Sequence, residues 1–369
     1  SFQDKGRSVK MVMVASLCLA LLYGLLQLFG LHIFKYLNFS AIGGSATIFK
    51  FTEAKAFNTI GSINSLGLVA AVALPLFYRF EESLNIGKVG AVLALVLLIL
   101  LNWWVLWVVA IAGMISLIAL ESAERGSRFK ISRFLFPMTV IVLGVFLVIV
   151  NFNLTILKQG LPTEVAPSFG LSGDVAVQVL KKSPAFGYGP ENFSLAFDKY
   201  GASSLANSTL SNFKFFDSTS QILNYAVDGG MVLLTALGFL FWALGQAMFK
   251  RLNVSGFKGD DVGTISALAA LVVGLFLYPF NISLIFLFYM LIALAVLALW
   301  GDESRIVNIE EKASTSLVSS LGFIGGLILV LVGAYFGAAI YVSDLKYTKA
   351  FTVKSNDEAV QLLVEAMNW

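Results

Sequence analysis

The chain has 369 residues, of which 58% are hydrophobic and only 13% are charged, and its mean hydropathy is +0.85. A soluble globular domain is about 45–50% apolar and about 25% charged, so this composition excludes a soluble enzyme, a secreted disulfide scaffold and a disordered chain. One histidine and one cysteine argue against a His/Cys metal site and a disulfide framework, and we expect no cofactor. The net charge of +3 is too small to indicate nucleic acid as a partner.

Long apolar runs along the chain predict an all-α polytopic membrane protein, whose first partner is the lipid bilayer. A helix needs about 20 apolar residues to cross a hydrocarbon core of about 30 Å. The third and fourth runs are divided only at Asn102-Trp103-Trp104, which we interpret as a tight interfacial turn. About nine transmembrane helices are expected, near 11–34, 64–80, 88–102, 103–120, 134–151, 221–249, 262–280, 282–300 and 317–342.

The basic residues predict the orientation of these spans. With the N-terminus placed in the cytoplasm, the positive residues concentrate in the inner segments, as the positive-inside rule expects. Every positively charged residue in the outer segments is then a lysine. The predicted organisation is 1–151 for transmembrane helices 1–5, 152–220 for a large extracytoplasmic loop, 221–342 for helices 6–9 and 343–369 for an extracytoplasmic tail. The arginines, all predicted inside, are Arg7, Arg79, Arg125, Arg128, Arg133, Arg251 and Arg305.

The loop 152–220 is the longest polar stretch and is expected to contain short helices. Ser172 is predicted to cap a first helix that ends at Pro184. A second helix is predicted to begin after Pro190, with Phe193 and Phe197 one turn apart.

The tail carries small and large apolar residues at helical spacing, namely Ala359, Leu363 and Ala366. This spacing is similar to that of the second helix of a tetratricopeptide repeat, and an ordinary amphipathic terminal helix explains it equally well. Under the first interpretation the tail is a docking element for a protein partner, and the natural chain continues beyond Trp369.

Two runs in the second half of the chain carry a family resemblance. GYGPENF at 187–193 is followed by FDSTSQILNYAVDGG at 216–230, and FNTIGSINSLGLVAAVALPL lies upstream at 57–76. In order and spacing they resemble the motifs of the O-antigen ligase and O-antigen polymerase superfamily, in a divergent branch from small-genome bacteria. The resemblance covers most of 57–250.

The resemblance implies a multi-pass cell-membrane glycosyltransferase that needs no metal. Such an enzyme moves a glycan from a polyprenyl-diphosphate donor to an acceptor glycan or protein on the outer face. The alternative is a catalytically degenerate relative that serves as a membrane anchor or assembly scaffold.

The resemblance, together with the charged residues beside its motifs, leads to a set of expected site residues. Asp217 is expected to be a general base for the acceptor hydroxyl or an N-cap of the following helix, and Thr219 stands at the position of the family's histidine. Asp228 takes the family's acidic position, either as a substrate contact or as a buried anchor. The remaining expected substrate-binding residues are the lysines Lys181, Lys182 and Lys214, whose alternative role is that of solvated surface charges, and Gly187, Gly189 and Asn192 of the glycine-rich run.

Two departures from the family motivate the scaffold alternative. The family's histidine is absent from its place, since the one histidine, His32, is far away in sequence. The family also uses outward-facing arginines to hold the diphosphate, and no arginine of this chain is predicted outside. Lysine binds phosphate as a point charge and does not reproduce the bidentate fork of arginine.

Overall fold

The computed structural model describes residues 2–31, 56–80, 84–123, 131–150, 161–206, 208–211, 213–254, 257, 259–300, 313–350 and 356–367. Throughout these ranges the regular secondary structure is helical. The chain divides into two compact units, Ser1–Glu303 and Ser304–Trp369. His32 lies outside the described residues.

The first unit contains ten α-helices, numbered here in chain order among the described residues. They are α1 (Phe2–Leu28), α2 (Ile63–Tyr78), α3 (Leu84–Leu101), α4 (Trp104–Ala123), α5 (Ile131–Val150), α6 (Phe169–Lys182), α7 (Phe193–Tyr200), α8 (Gln221–Val254), α9 (Gly259–Leu277) and α10 (Ile282–Trp300).

Six helices of the described chain are long and apolar enough to cross a membrane. They are Gly6–Leu28, Trp104–Ala123, Arg133–Val150, Gln221–Leu252, Gly259–Leu277 and Ile282–Trp300. Three other predicted spans correspond to shorter apolar helices, Ile63–Tyr78, Asn85–Leu101 and Ser320–Tyr335. The chain is thus a helical protein with the elements of a membrane bundle.

Helix α2 lies at the centre of the first unit, where 14 of its 16 residues are buried. It is apolar on every side, as a helix surrounded by protein should be. Helices α3, α4 and α9 pack around it. Its start is capped by Ser62, whose hydroxyl accepts from the backbone amide of Ser65 at 3.0 Å.

The predicted turn between the third and fourth spans is confirmed, because α3 ends at Leu101 and α4 begins at Trp104. Asn102 takes a positive φ of 34° there. Its side-chain oxygen accepts a hydrogen bond from Trp107 Nε1 at 2.8 Å, which fixes the turn against the first turn of α4.

The two ends of the first unit carry different features. At one end, Arg79 and Glu121 form a largely buried ion pair with Nε and Oε1 2.9 Å apart, and Lys10 pairs with Asp261. The opposite end carries the start of α2, the α3–α4 turn, the start of α8 and the α9–α10 turn. A cavity opens at this second end.

The segment 161–220 forms two short helices, α6 and α7, that pack on the beginning of α8. Helix α6 begins earlier than predicted, because Ser168 rather than Ser172 is its N-cap and accepts from the Leu171 amide at 3.2 Å. Both serines fit a cap pattern, and only tertiary contacts decide between them. Helix α7 begins at Phe193 as predicted, and Phe193 and Phe197 are both buried.

The second unit contains α11 (Ala313–Ala350) and α12 (Asn356–Met367), which pack on each other. Ser343 Oγ donates to the Ala366 carbonyl at 2.7 Å, and Lys346 Nζ lies 3.1 Å from Glu365 Oε2. The predicted tail helix is therefore present, and it has α11 as its partner within this unit. Its similarity to a tetratricopeptide repeat stays a prediction.

Candidate functional site

A polar cavity of about 740 Å³ lies where several helix ends meet. Five segments line it: 61–65 at the start of α2, 103–105 at the start of α4, 164–169 before and at the start of α6, 214–219 before α8, and 277–281 between α9 and α10. Of the predicted site residues, Lys214, Asp217 and Thr219 contribute to this lining. We refer to it as the polar cavity.

Asp217 is held in place by the first turn of α8. Asn224 Nδ2 donates to Asp217 Oδ1 at 3.1 Å, and Asn224 Oδ1 accepts from the Ser218 amide at 2.7 Å. The first amide of α8, that of Gln221, donates instead to the carbonyl of Tyr278 at 3.1 Å. The carboxylate is thus oriented by a side-chain amide and does not act as the N-cap that the sequence allowed.

The surroundings of Asp217 raise its pKa above the ordinary value for an aspartate. Desolvation against the cavity wall is the main cause, and the negative charge of Glu191 adds to it. The hydrogen bond from Asn224 acts in the opposite direction and lowers the pKa. A carboxylate with a raised pKa is a stronger base than an ordinary aspartate, which favours a role in proton abstraction.

Lys214 brings the cavity a positive charge that is largely free to move. Its Nζ lies 3.7 Å from Asp198 Oδ2, with both side chains more than half exposed, and 6.0 Å from the centre of the Phe216 ring. An exposed ion pair of this kind is worth about 0–1 kcal/mol. The ammonium group can therefore leave Asp198 for an anion inside the cavity.

Thr219 has its hydroxyl engaged in structural bonds. Its Oγ1 donates to the Pro167 carbonyl and lies 3.0 Å from Ser172 Oγ, and its backbone amide donates to Ser172 Oγ at 3.3 Å. These contacts join the start of α8 to the segment before α6. Thr219, which stands at the position of the family's histidine, therefore links two walls of the cavity through hydrogen bonds.

Two lining residues that sequence reasoning missed are Glu164 and Tyr278. Glu164 Oε2 accepts from the Tyr278 hydroxyl at 2.7 Å, and the same hydroxyl lies 3.0 Å from Ser62 Oγ and 3.3 Å from Ser65 Oγ. Glu164 is the one acidic residue of the sequence 152–173, which was an available signal. For Tyr278, the available signal was its position beside Pro279, between two apolar runs.

The other predicted site residues lie outside the lining of the polar cavity. Lys181 and Lys182 are exposed in the last turn of α6, a favourable place for cations near a helix C-terminus. Gly187 and Gly189 contact the backbone of α8, with Gly189 N donating to the Asp228 carbonyl at 3.0 Å. Asp228 is half-buried in α8, with the backbone amides of Glu191 and Asn192 near its carboxylate, and its Oδ1 is buried without a hydrogen-bond partner among the described residues.

Chemically, the polar cavity combines two carboxylates, one ammonium group, hydroxyls and the amides of Asn64 and Asn281. Within the described ranges, no three His, Cys, Asp or Glu side chains come together as metal ligands would. The arrangement suits proton transfer to a carboxylate and binding of an anion by Lys214.

No family model, no curated protein and no solved structure matches this chain.

Proposed function

We propose that the chain is an O-antigen ligase-like membrane glycosyltransferase that moves a glycan from a polyprenyl-diphosphate donor to an acceptor on the outer face. The observation that carries the proposal is the meeting of Lys214 and Asp217 in one polar cavity. These two residues supply the base and the cation that glycosyl transfer from a diphosphate requires.

The proposed reaction is an inverting displacement. Asp217 takes the proton of an acceptor hydroxyl, and the hydroxyl oxygen attacks the anomeric carbon of the donor glycan. A new carbon–oxygen bond forms as the bond to the diphosphate breaks, and the polyprenyl diphosphate leaves with the bonding electrons. Lys214 stabilises the negative charge that develops on the leaving diphosphate.

An apolar groove beside the polar cavity supports a lipid-linked donor. The groove has a volume of about 910 Å³ and lies between α1, α2 and α10, with Val12, Leu17 and Phe286 among its lining. Asn281 Nδ2 donates to the Ile60 carbonyl at 2.8 Å, and these neighbouring residues line the cavity and the groove respectively. A hydrocarbon chain in the groove would place its diphosphate beside the cavity.

The proposal includes the nine-span topology with a cytoplasmic N-terminus and an extracytoplasmic loop and C-terminus. In that topology the starts of α2, α4, α8 and α10 all face outward, and these are the helix ends that surround the polar cavity. The ion pairs of Arg79 and Lys10 then face the cytoplasm. Contacts of Lys181 and Lys182 with an anionic headgroup belong to the same prediction.

A transfer assay tests the proposal on the purified full chain in lipid nanodiscs. The donor is an undecaprenyl-diphosphate-linked oligosaccharide, offered with a panel of glycan and protein acceptors. Asp217→Asn is expected to lower kcat by about 10²–10⁴-fold, and Lys214→Ala to lower it by about 10²-fold. The matched controls are Asp174→Asn and Lys88→Ala, exposed residues of α6 and α3 outside the cavity lining, which should transfer at the parent rate.

The alternative is a degenerate relative that acts as a membrane anchor or assembly scaffold. Two observations favour it: the hydroxyl of Thr219 is engaged with Pro167 and Ser172, and the lining of the polar cavity contains no arginine among the described residues. Absence of transfer with every donor and acceptor would support this alternative. Full activity of both Asp217→Asn and Lys214→Ala would contradict the assigned site while leaving the enzyme class open.

A further inference from the structure

Helix α8 is interrupted at Gly230, where the backbone takes φ 59° and ψ −155°. In a continuous α-helix the amides of Met231 and Val232 would donate to the carbonyls of Val227 and Asp228, four residues earlier. The interruption separates these two donors from these two acceptors. Four strong backbone groups in the middle of a long apolar helix must therefore find other partners.

Their partners are supplied by the segment 184–189, which we call the intercalating segment. Tyr188 N donates to the Val227 carbonyl at 2.7 Å, and Gly189 N donates to the Asp228 carbonyl at 3.0 Å. On the other side of the break, Met231 N donates to the Pro184 carbonyl at 2.8 Å and Val232 N to the Ala185 carbonyl at 3.1 Å. The segment thus makes four hydrogen bonds to the backbone groups on either side of the break.

Glycines at both sides make this close approach possible. A Cβ on Gly187 would lie 2.1 Å from the Val227 carbonyl oxygen. A Cβ on Gly230 would lie 2.6 Å from the Gly187 amide nitrogen and 2.7 Å from the Ala185 carbonyl oxygen. Both glycines also have positive φ, a conformation that other residues rarely adopt. The glycine-rich run therefore recognises a helix backbone.

We infer that α8 and the intercalating segment form a two-state element. In the observed state the segment is inserted and α8 is broken. In the second state the segment withdraws, the amides of Met231 and Val232 pair with the carbonyls of Val227 and Asp228, and α8 is continuous. No backbone group of α8 loses its partner, and the four groups of the withdrawn segment bond to water instead.

The same element controls access to the polar cavity. The first part of α8 is joined to the α9–α10 turn, because Gln221 Oε1 accepts from the Phe280 amide at 2.8 Å. The intercalating segment follows α6, whose first residue, Phe169, lines the cavity and whose Ser172 contacts Thr219. Withdrawal of the segment changes the angle between the two parts of α8. The first part moves together with α6, which stays bound to it through Thr219 and Ser172, so the cavity widens in the second state. This inference is independent of glycosyl transfer.

Hydrogen exchange resolved to single amides tests the inference first on the unmodified full chain in nanodiscs. Opening exposes the amides of Tyr188 and Gly189, whereas the amides of Met231 and Val232 find new partners. The first pair should therefore exchange at least tenfold faster than the second pair. Equal exchange rates for all four amides would overturn the two-state element, because they would show that segment and helix open together.

Two substitutions and one control then shift the equilibrium. Gly230→Ala favours the continuous helix, and Gly187→Ala places a methyl group against the Val227 carbonyl and so expels the segment. Both should expose the amides of Tyr188 and Gly189 while those of Met231 and Val232 stay protected. Gly238→Ala is the matched control, because a Cβ there has nothing within 4 Å. Loss of protection at Met231 and Val232 in both variants would overturn the inference, as would unchanged protection of Tyr188 and Gly189 in both.

Cavity access is measured by thiol labelling of Asn64→Cys in a Cys18→Ala background, since Asn64 lines the polar cavity. The labelling rate should rise at least threefold when Gly230→Ala is added and should not change with Gly238→Ala. A rate that stays constant while the segment is exposed would separate the two-state helix from cavity access and overturn the gating role.

Discussion

At the scale of single residues, the site combines positions that a sequence reveals with positions that only a fold brings together. Asp217 and Lys214 stand a few residues before a long apolar run, so their place at a helix start was predictable. Glu164 and Tyr278 are 114 residues apart and meet through one hydrogen bond. No local pattern encodes such a contact, because it depends on how five segments converge.

The pKa of Asp217 gives a prediction of pH dependence with opposite signs in two variants. Asp217 acts as a base only when it is deprotonated, so transfer should fall as the pH drops through its raised pKa. Asn224→Ala removes the hydrogen bond that lowers this pKa, and the acidic limb of kcat/KM should move to higher pH. Glu191→Gln removes a negative charge that raises the pKa, and the limb should move to lower pH.

The measurement is the pH profile of kcat/KM for glycan transfer, with the thermal unfolding midpoint of each variant as a control for folding. Movement of both limbs in the same direction would show that another group titrates. A limb that is insensitive to both substitutions would remove Asp217 from the role of base.

At the scale of secondary-structure elements, apolar length and turn residues predicted most helix positions, and close contacts between helices escaped prediction. Helix α8 is the clearest case. Its sequence Asp228-Gly229-Gly230-Met231 lies inside one apolar run, and only the inserted segment 184–189 explains the break. The shift of the α6 cap from Ser172 to Ser168 has the same origin, because Ser172 is needed at Thr219.

Glycines at helix contacts give a second prediction, again with opposite signs. A Cβ on Gly90 of α3 would lie 2.5 Å from the ring of Phe77, which is fully buried in α2. Gly90→Ala should therefore lower the free energy of unfolding by about 1–3 kcal/mol through overpacking. Gly245→Ala on α8 meets nothing within 4 Å and should raise that free energy by up to about 1 kcal/mol.

Denaturant unfolding in detergent micelles, followed by far-UV circular dichroism, measures both changes. If both substitutions stabilised the protein, α2 and α3 would not be in the close contact described here. A loss of stability in both would mean that Gly245 also lies against a neighbour.

At the scale of the whole molecule, composition predicted the helical membrane class. The number of spans is harder to predict, because whether a short helix crosses the membrane depends on the helices packed around it. Helix α2 has 16 residues, and at 1.5 Å per residue it is about 24 Å long, shorter than a hydrocarbon core of about 30 Å. Because protein surrounds it on all sides, its length need not match that of the lipid chains. A count of spans from hydropathy alone cannot distinguish such a helix from a short core helix.

The orientation of the bundle gives the last prediction. Cysteine labelling in spheroplasts with a membrane-impermeant maleimide, in a Cys18→Ala background, compares two exposed positions: Ser204→Cys in the segment after α7, and Lys88→Cys at the start of α3. If the end of the first unit that carries the Arg79–Glu121 and Lys10–Asp261 pairs faces the cytoplasm, Ser204→Cys is labelled in intact spheroplasts and Lys88→Cys only after permeabilisation. The reverse pattern would place the polar cavity on the cytoplasmic side. Transfer of a glycan on the outer face would then be impossible for this protein, whereas the two-state element in α8 would stand unchanged.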